Sequence, residues 1–203
     1  MLSDHATQNT VVLTDEDRFR VDFYRLLALF LSAPPSAASL SAAAALEGSD
    51  APLGRAIRSF ARVAAQTDST TADDEFHALF IGVGRGELLP YASYYLTGFL
   101  HEKPLARLRS EMAALGIAAD PDASEPEDHA AAVLDMMAGL IDGSFGHPLT
   151  IADQKRFYDA HLGNWMPLFF RDLEGASSSV LYAALAQIGS RFLEIESAAF
   201  EMD

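Results

Sequence analysis

Apolar side chains recur at three- and four-residue steps along almost the whole chain, and this period fixes the fold class before any motif is considered. Phe19, Phe23, Leu26, Leu27 and Phe30 form one such set, and Leu53, Ile57, Phe60 and Ala64 another. Val133, Met136, Met137, Leu140 and Ile141 form a third. Leu181, Leu185, Ile188, Phe192, Ile195 and Ala199 alternate steps of four and three, the mark of a long buried stripe. Residues so spaced share one face of a helix, whereas a half-buried strand alternates apolar and polar side chains. No segment sustains that alternation, and no internal repeat is present. The expected class is all-α, a helical bundle of about ten helices.

Local signals set the expected boundaries. Thr14 precedes Asp15, Glu16 and Asp17, an N-cap followed by carboxylates that complement the positive helix end. Pro34 and Pro35 stop that helix. An Ala-rich helix is expected over 37–46, with a turn at Gly48, Asp50 and Pro52. The polar run 67–74 reads as a loop, with Asp74 capping a fourth helix that carries Phe76, Leu79 and Phe80. Gly82, Gly84 and Gly86 break the chain. Helices are then expected over 91–100 and 104–115, with Gly116 as C-cap, and over 126–141, 151–162, 165–173 and 177–199. The acidic, Pro-containing stretch 118–124 is the candidate hinge. The domain expectation is one domain, 1–203, with lobes 14–117 and 125–203 joined by that linker.

Composition then removes function classes. The chain has no cysteine, so zinc–thiolate sites and disulfides are excluded. Its formal charge is -15, from 14 basic and 29 acidic residues, which repels phosphate backbones and speaks against nucleic acid. The same surface attracts a basic peptide, although solubility alone also accounts for it. MLSDHATQNT has Asp4 and no apolar core, so no signal peptide is expected. No run approaches the ~18–20 apolar residues of a membrane span. A soluble, cytoplasmic protein with no membrane insertion is expected.

The chemistry-bearing groups are few. In SEPEDH, Ser124 and Glu127 fit a capping box, Pro126 suits a first turn, and Glu125 and Asp128 complement the helix end. His129 stands out there, because a cation is least favoured at that end and a neutral imidazole is expected. Glu125, Asp128 and His129 are also the one candidate metal set, for a metal-dependent hydrolase, but adjacent residues on a helix diverge by ~100°. No metal and no other cofactor is expected. The GVGRG run lacks the Lys-Ser/Thr pair of a phosphate loop and reads as a flexible turn with exposed Arg85. Tyr91, Tyr95 and Phe99 share a helical face. Phe99 suits the core, while tyrosines with polar tips suit the wall of a peptide groove. Met112, Met136 and Met137 would add adaptable surface if exposed. Trp165 reads as a buried anchor. No nucleophile with its base can be placed, so no enzyme is expected.

Five segments in order resemble the TorD/DmsD family of cytoplasmic redox-enzyme maturation chaperones. They are YRLLALFLSAPP from Tyr24 to Pro35, the F-x-x-L-F-x-G run from Phe76 to Gly82, the P-Y-x-S-x-Y run from Pro90 to Tyr95, EPEDH at 125–129, and H-L-x-x-W from His161 to Trp165 followed by a Tyr182 helix. Many members carry an acidic residue where this chain has Ala92. The resemblance implies a TorD-like helical fold without catalysis. It implies a partner, the twin-arginine leader or apoprotein of a molybdopterin oxidoreductase, held from export until its cofactor is in place. The implied peptide-binding residues are Tyr91, Ser93, Tyr95, Glu127, Asp128 and His129. A monomer with a possible domain-swapped dimer is implied by the linker. A structural subunit of the redox complex is the other reading.

Overall fold

The computed structural model describes residues 13–202, so the expectation for Asp4 and its neighbours lies outside the described residues. Ten α-helices follow one another among these residues. They are α1 Asp15–Ser32, α2 Ala37–Ala44, α3 Pro52–Ala64, α4 Ser69–Phe76, α5 Ala92–Thr97, α6 Lys103–Leu115, α7 Ala130–Asp142, α8 Ile151–His161, α9 Met166–Gly175 and α10 Leu181–Met202. No strand accompanies them among the described residues, only an isolated β-bridge between Tyr91 and His129. The chain is all-α, as its apolar period requires. None of its described helices is long and apolar enough to cross a membrane.

The core is organised by two helix pairs, α1 on α7 and α3 on α10, with α9 also against α10. Val133, Leu134, Met136, Met137, Leu140 and Ile141 bury α7 on nearly every side. A helix that is apolar all round belongs inside. Met112, Met136 and Met137 are therefore filler, not adaptable surface. Trp165 is fully buried against Tyr95 and Phe169. Gly189 allows α9 to approach α10 closely, since a Cβ there would lie 2.5 Å from the Phe170 ring. Both segments flanking 118–124 contribute to this one core, while residues 118–125 are exposed and form no helix.

Some boundaries depart from the sequence expectation, each for a local reason. The run 67–74 is not a loop: the Asp68 side chain accepts the Thr71 N–H at 2.8 Å, and α4 starts at Ser69. That helix continues into a π-helical turn, His77–Ile81, closed by Gly82 N–H donating to the His77 carbonyl at 2.7 Å. Gly82 has φ +61 and lies tight against the Arg85 carbonyl, so the first glycine of GVGRG is required by the turn. Phe99 is 70% exposed, because α5 ends at Gly98 in the left-handed region and the chain leaves the shared face. In α10, Ile195 is exposed and the adjacent Glu196 is buried at 2%. The stripe is displaced there because Arg20 draws the carboxylate inward.

Candidate functional site

Two segments distant in sequence meet just before α7. Ala92 N–H donates to the Asp128 carbonyl at 3.0 Å, and Ala130 N–H donates to the Pro90 carbonyl at 2.8 Å. The run PYASYY and the run EPEDH are thus joined through their backbones at the Tyr91–His129 bridge. This seam corrects the expected helix start. Ser124 and Glu127 form no capping box, Pro126 is not in a first turn, and α7 begins only at Ala130 with His129 as its N-cap. Asp128 and His129 therefore do not sit on a helix, and their side chains serve separate partners.

Asp128 is 1% exposed. Its Oδ2 accepts the Ser93 N–H at 2.8 Å, in the first turn of α5, where Tyr91 supplies no side-chain cap. Its Oδ1 makes no hydrogen bond, nor does the buried Ser93 Oγ. His129 Nδ1 accepts the Ala131 N–H at 3.2 Å, which places its proton on Nε2. Burial holds the His129 pKa below the ordinary histidine value, against the smaller opposing pull of Glu125 and Asp128. The Tyr91 ring meets the His129 ring edge-on at 5.2 Å between centroids. The Tyr91 hydroxyl donates to the Glu125 carboxylate. Burial and that carboxylate raise its pKa, so it remains a donor.

The other two candidates turn away from the seam. Glu127 pairs with Arg109 of α6 at 2.7 Å, which lowers the Glu127 pKa. The Tyr95 hydroxyl donates to Asp172 of α9 at 3.2 Å, and its ring packs on Trp165. Tyr91, Ser93, Asp128 and His129 are brought together; Glu127 and Tyr95 are not. Glu125 joins them through Tyr91, a role that its place in EPEDH alone does not reveal. Arg85, read as a plain exposed cation, donates to the Tyr94 hydroxyl at 2.7 Å and lies over its ring. Among the described residues no group of three or more His, Cys, Asp or Glu could hold a metal ion. The candidate set Glu125, Asp128 and His129 is dispersed onto Tyr91, Ser93 and Ala131.

Glu125 and His129 open onto a groove of about 590 Å³ beside α1, with Ala28, Leu29 and Ala132 as apolar lining and Asp135 as a further carboxylate. A cavity of about 600 Å³ shares the 123–125 segment and Asp135 with this groove and reaches Met136 and Phe145. A cavity of about 900 Å³ opens elsewhere, where α3, α9 and α10 present both arginines and glutamates. It contains none of the seam residues.

The neutral His129 cap has a pH signature. The unfolded chain binds a proton on this histidine near pH ~6.5, while the folded state resists it to lower pH. Its contribution to stability is thus present above about pH 6.5 and is lost as pH falls toward the depressed folded value. His129→Asn keeps an N-cap acceptor without titrating. Its stability should fall less steeply than the wild type's between about pH 7 and 5.5 in urea titrations. Equal slopes would remove His129 as the source.

Comparison with known proteins gives the same direction. A family model described as the nitrate reductase delta subunit matches residues 46–171. Chaperone protein TorD of Vibrio cholerae serotype O1 (strain ATCC 39541 / Classical Ogawa 395 / O395) is 33% identical over 127 residues, covering 59% of this chain and 58% of that protein. Chaperone protein TorD of Photobacterium profundum is 31% identical over 133 residues, covering 61% of each. The matches thus span about three fifths of the length of these relatives. A crystal structure assigned as a redox enzyme maturation protein of Archaeoglobus fulgidus superposes with TM-score 0.59 at 25% identity, covering 86% of this chain and 93% of that one.

Proposed function

The chain belongs to the TorD/DmsD family of redox-enzyme maturation chaperones, and from that membership we propose that it binds the twin-arginine leader, or the apoprotein, of a molybdopterin oxidoreductase in the cytoplasm and holds it from export until the cofactor is inserted. The observation that carries the reading is the seam. It gathers a tyrosine donor, a neutral histidine and an exposed carboxylate at the edge of a groove with an apolar lining. A leader offers guanidinium groups followed by an apolar stretch. Glu125 and Asp135 suit the first, and Leu29 with its alanine neighbours suits the second. Tyr91 holds Glu125, and Asp128 fixes the start of α5 from behind. The -15 charge speeds encounter, and apolar burial sets the lifetime of the complex.

Titration of a labelled leader peptide tests this. Glu125→Gln is expected to weaken binding about tenfold, the scale of one charge-assisted hydrogen bond. Raising salt from about 50 to about 500 mM should weaken the wild type further and the variant less, because screening acts on the contact already removed. Affinity indifferent to both salt and Glu125→Gln would sink the reading. The delta-subunit description of the matching model favours a second reading, a subunit that stays in the mature complex. Under it the partner would co-purify undiminished after cofactor insertion; a chaperone would be released.

A further inference from the structure

The run 96–103, between the end of α5 and the start of α6, is exposed throughout. It sets three large apolar side chains, Leu96, Phe99 and Leu100, in solvent. A group of this kind marks an interaction site, where a single exposed leucine would not. The turn that presents it has a fixed shape. The Thr97 hydroxyl donates to the Ser93 carbonyl at 2.7 Å and accepts the Phe99 N–H at 3.2 Å. Gly98 is left-handed, and so is His101 at φ +59, the one non-glycine residue with positive φ among the described residues. Backbone held in such a state points to function. Charge accompanies the apolar knob. Of the three basic residues of α6, Arg109 is paired with Glu127. Lys103 and Arg107 are exposed, one turn apart, and have no carboxylate partner among the described residues. Glu102 is the one carboxylate of the run and offsets only part of this charge. The knob is thus apolar and basic on a chain whose formal charge is -15.

The cavity of about 600 Å³ has the complementary character. Met112, Ile117, Met136 and Phe145 give it an apolar lining. Asp120 and Asp135 also line it, exposed and outside any ion pair among the described residues. His101 of the turn lines this same cavity, so knob and cavity adjoin on one face. We propose that this face pairs with a second copy of the chain about a two-fold axis. Phe99 and Leu100 of each copy enter the cavity of the other, and Lys103 and Arg107 meet Asp120 and Asp135. A two-fold contact requires a patch complementary to itself, and a basic knob beside an acidic cavity is such a patch. An anionic partner would meet the cations but also those carboxylates; a second copy satisfies both halves at once. Phe99 is the anchor, an aromatic side chain on a turn already fixed in shape. The contact is small, so the dimer is weak and concentration-dependent. It differs from an exchange of lobes through 118–124, because every element stays with its own copy. It does not rest on the leader-binding reading.

Sedimentation velocity of the full chain over a concentration series tests it. A monomer–dimer equilibrium that reverses promptly on dilution is expected. Phe99→Asp should weaken dimerisation about thirtyfold or more, the scale of a lost interface anchor. Two charge-reversed variants probe the pairing. One carries Lys103→Glu and Arg107→Glu, the other Asp120→Lys and Asp135→Lys. Each alone places like charges at both contacts and should be monomeric. Their equimolar mixture restores opposite charges at both contacts and should dimerise. All five residues are exposed, so the fold is not at stake, and the buried Trp165 reports by its fluorescence that each variant is folded. A wild-type chain that stays monomeric at the highest soluble concentration overturns the proposal. So does a mixture of the two variants that remains monomeric. A dimer that persists on dilution and is indifferent to Phe99→Asp is an exchange of lobes and overturns it as well.

Discussion

Glu196→Ala is expected to lower the unfolding free energy by about 3–5 kcal/mol, the scale for breaking a buried ion pair from one side. Arg20 and Glu196 are joined by a two-pronged contact, Nε to Oε1 at 2.8 Å and Nη2 to Oε2 at 3.0 Å. The Tyr24 hydroxyl donates to the same carboxylate at 2.8 Å, and Arg20 Nη1 donates to Gln154 at 2.7 Å. One buried cluster thus ties α1 to α8 and α10. Removing the carboxylate leaves the phenol unpaired and the guanidinium with only Gln154 and a looser contact to Asp17 at 3.7 Å in a nearly dry site, which is why the loss exceeds that of a surface pair. Urea unfolding followed by the single buried Trp165 measures it. The double variant Arg20→Met, Glu196→Leu should recover much of the loss, though less than all, because Tyr24 and Gln154 still lose their partners. A loss below about 1 kcal/mol in Glu196→Ala would mean that water enters and solvates the pair. The effect is expected to extend to the groove through α1. The helix carrying Arg20 and Tyr24 also carries Leu29 of the groove, and it packs on α7, whose N-cap is His129.

Period made the helices legible, and caps made some of their ends legible. Thr14 forms the expected capping arrangement with Asp17, and Gly116 closes α6 in the left-handed conformation. What period cannot report is a buried charge. Glu196 reads as a polar residue on an apolar helix until Arg20 is seen opposite it. The same holds at the site. S-x-x-E in SEPEDH has the spacing of a capping box, but the helix start was decided by Asp128 and Ala130 bonding back to the segment 90–93. That is a tertiary contact with no local trace. EPEDH and PYASYY were each visible as motifs. Their meeting was not, because a bridge between two loops has no periodicity. The pairing of Glu111 with His161, Oε2 to Nε2 at 2.7 Å, is illegible in sequence for a related reason. Each is an ordinary helical residue in sequence, and only the packing of α6 on the end of α8 makes them a pair.

Glu75→Ala is expected to cost about 3 kcal/mol, since it leaves two buried backbone donors and a half-buried third unpaired at once. The Glu75 carboxylate, 8% exposed, accepts N–H groups from Val180, Leu181 and Tyr182 at 2.7, 3.1 and 2.9 Å. The first donors of a helix have no partner within it, and here a side chain from α4 supplies one. The negative charge also opposes the positive end of α10 favourably. Glu87 does the same for Ser177 and Ser178, but it is exposed, so water replaces it and Glu87→Ala should cost little. Glu75→Gln keeps one acceptor oxygen and should fall between the two. Amide exchange at 180–182 reports the loss directly, alongside urea unfolding. Protection at those amides unchanged in Glu75→Ala would show that α10 starts without this cap. The consequence extends along the helix. Tyr182 donates to the Phe30 carbonyl at 3.0 Å, so the start of α10 is pinned to α1 near one end, as Glu196 is pinned to Arg20 near the other. Two anchors on one helix share the same register. Glu75→Ala and Glu196→Ala together should therefore cost less than the sum of the single losses, because the first already loosens the register that the second depends on. Strict additivity would mean that α10 is positioned by its apolar face alone.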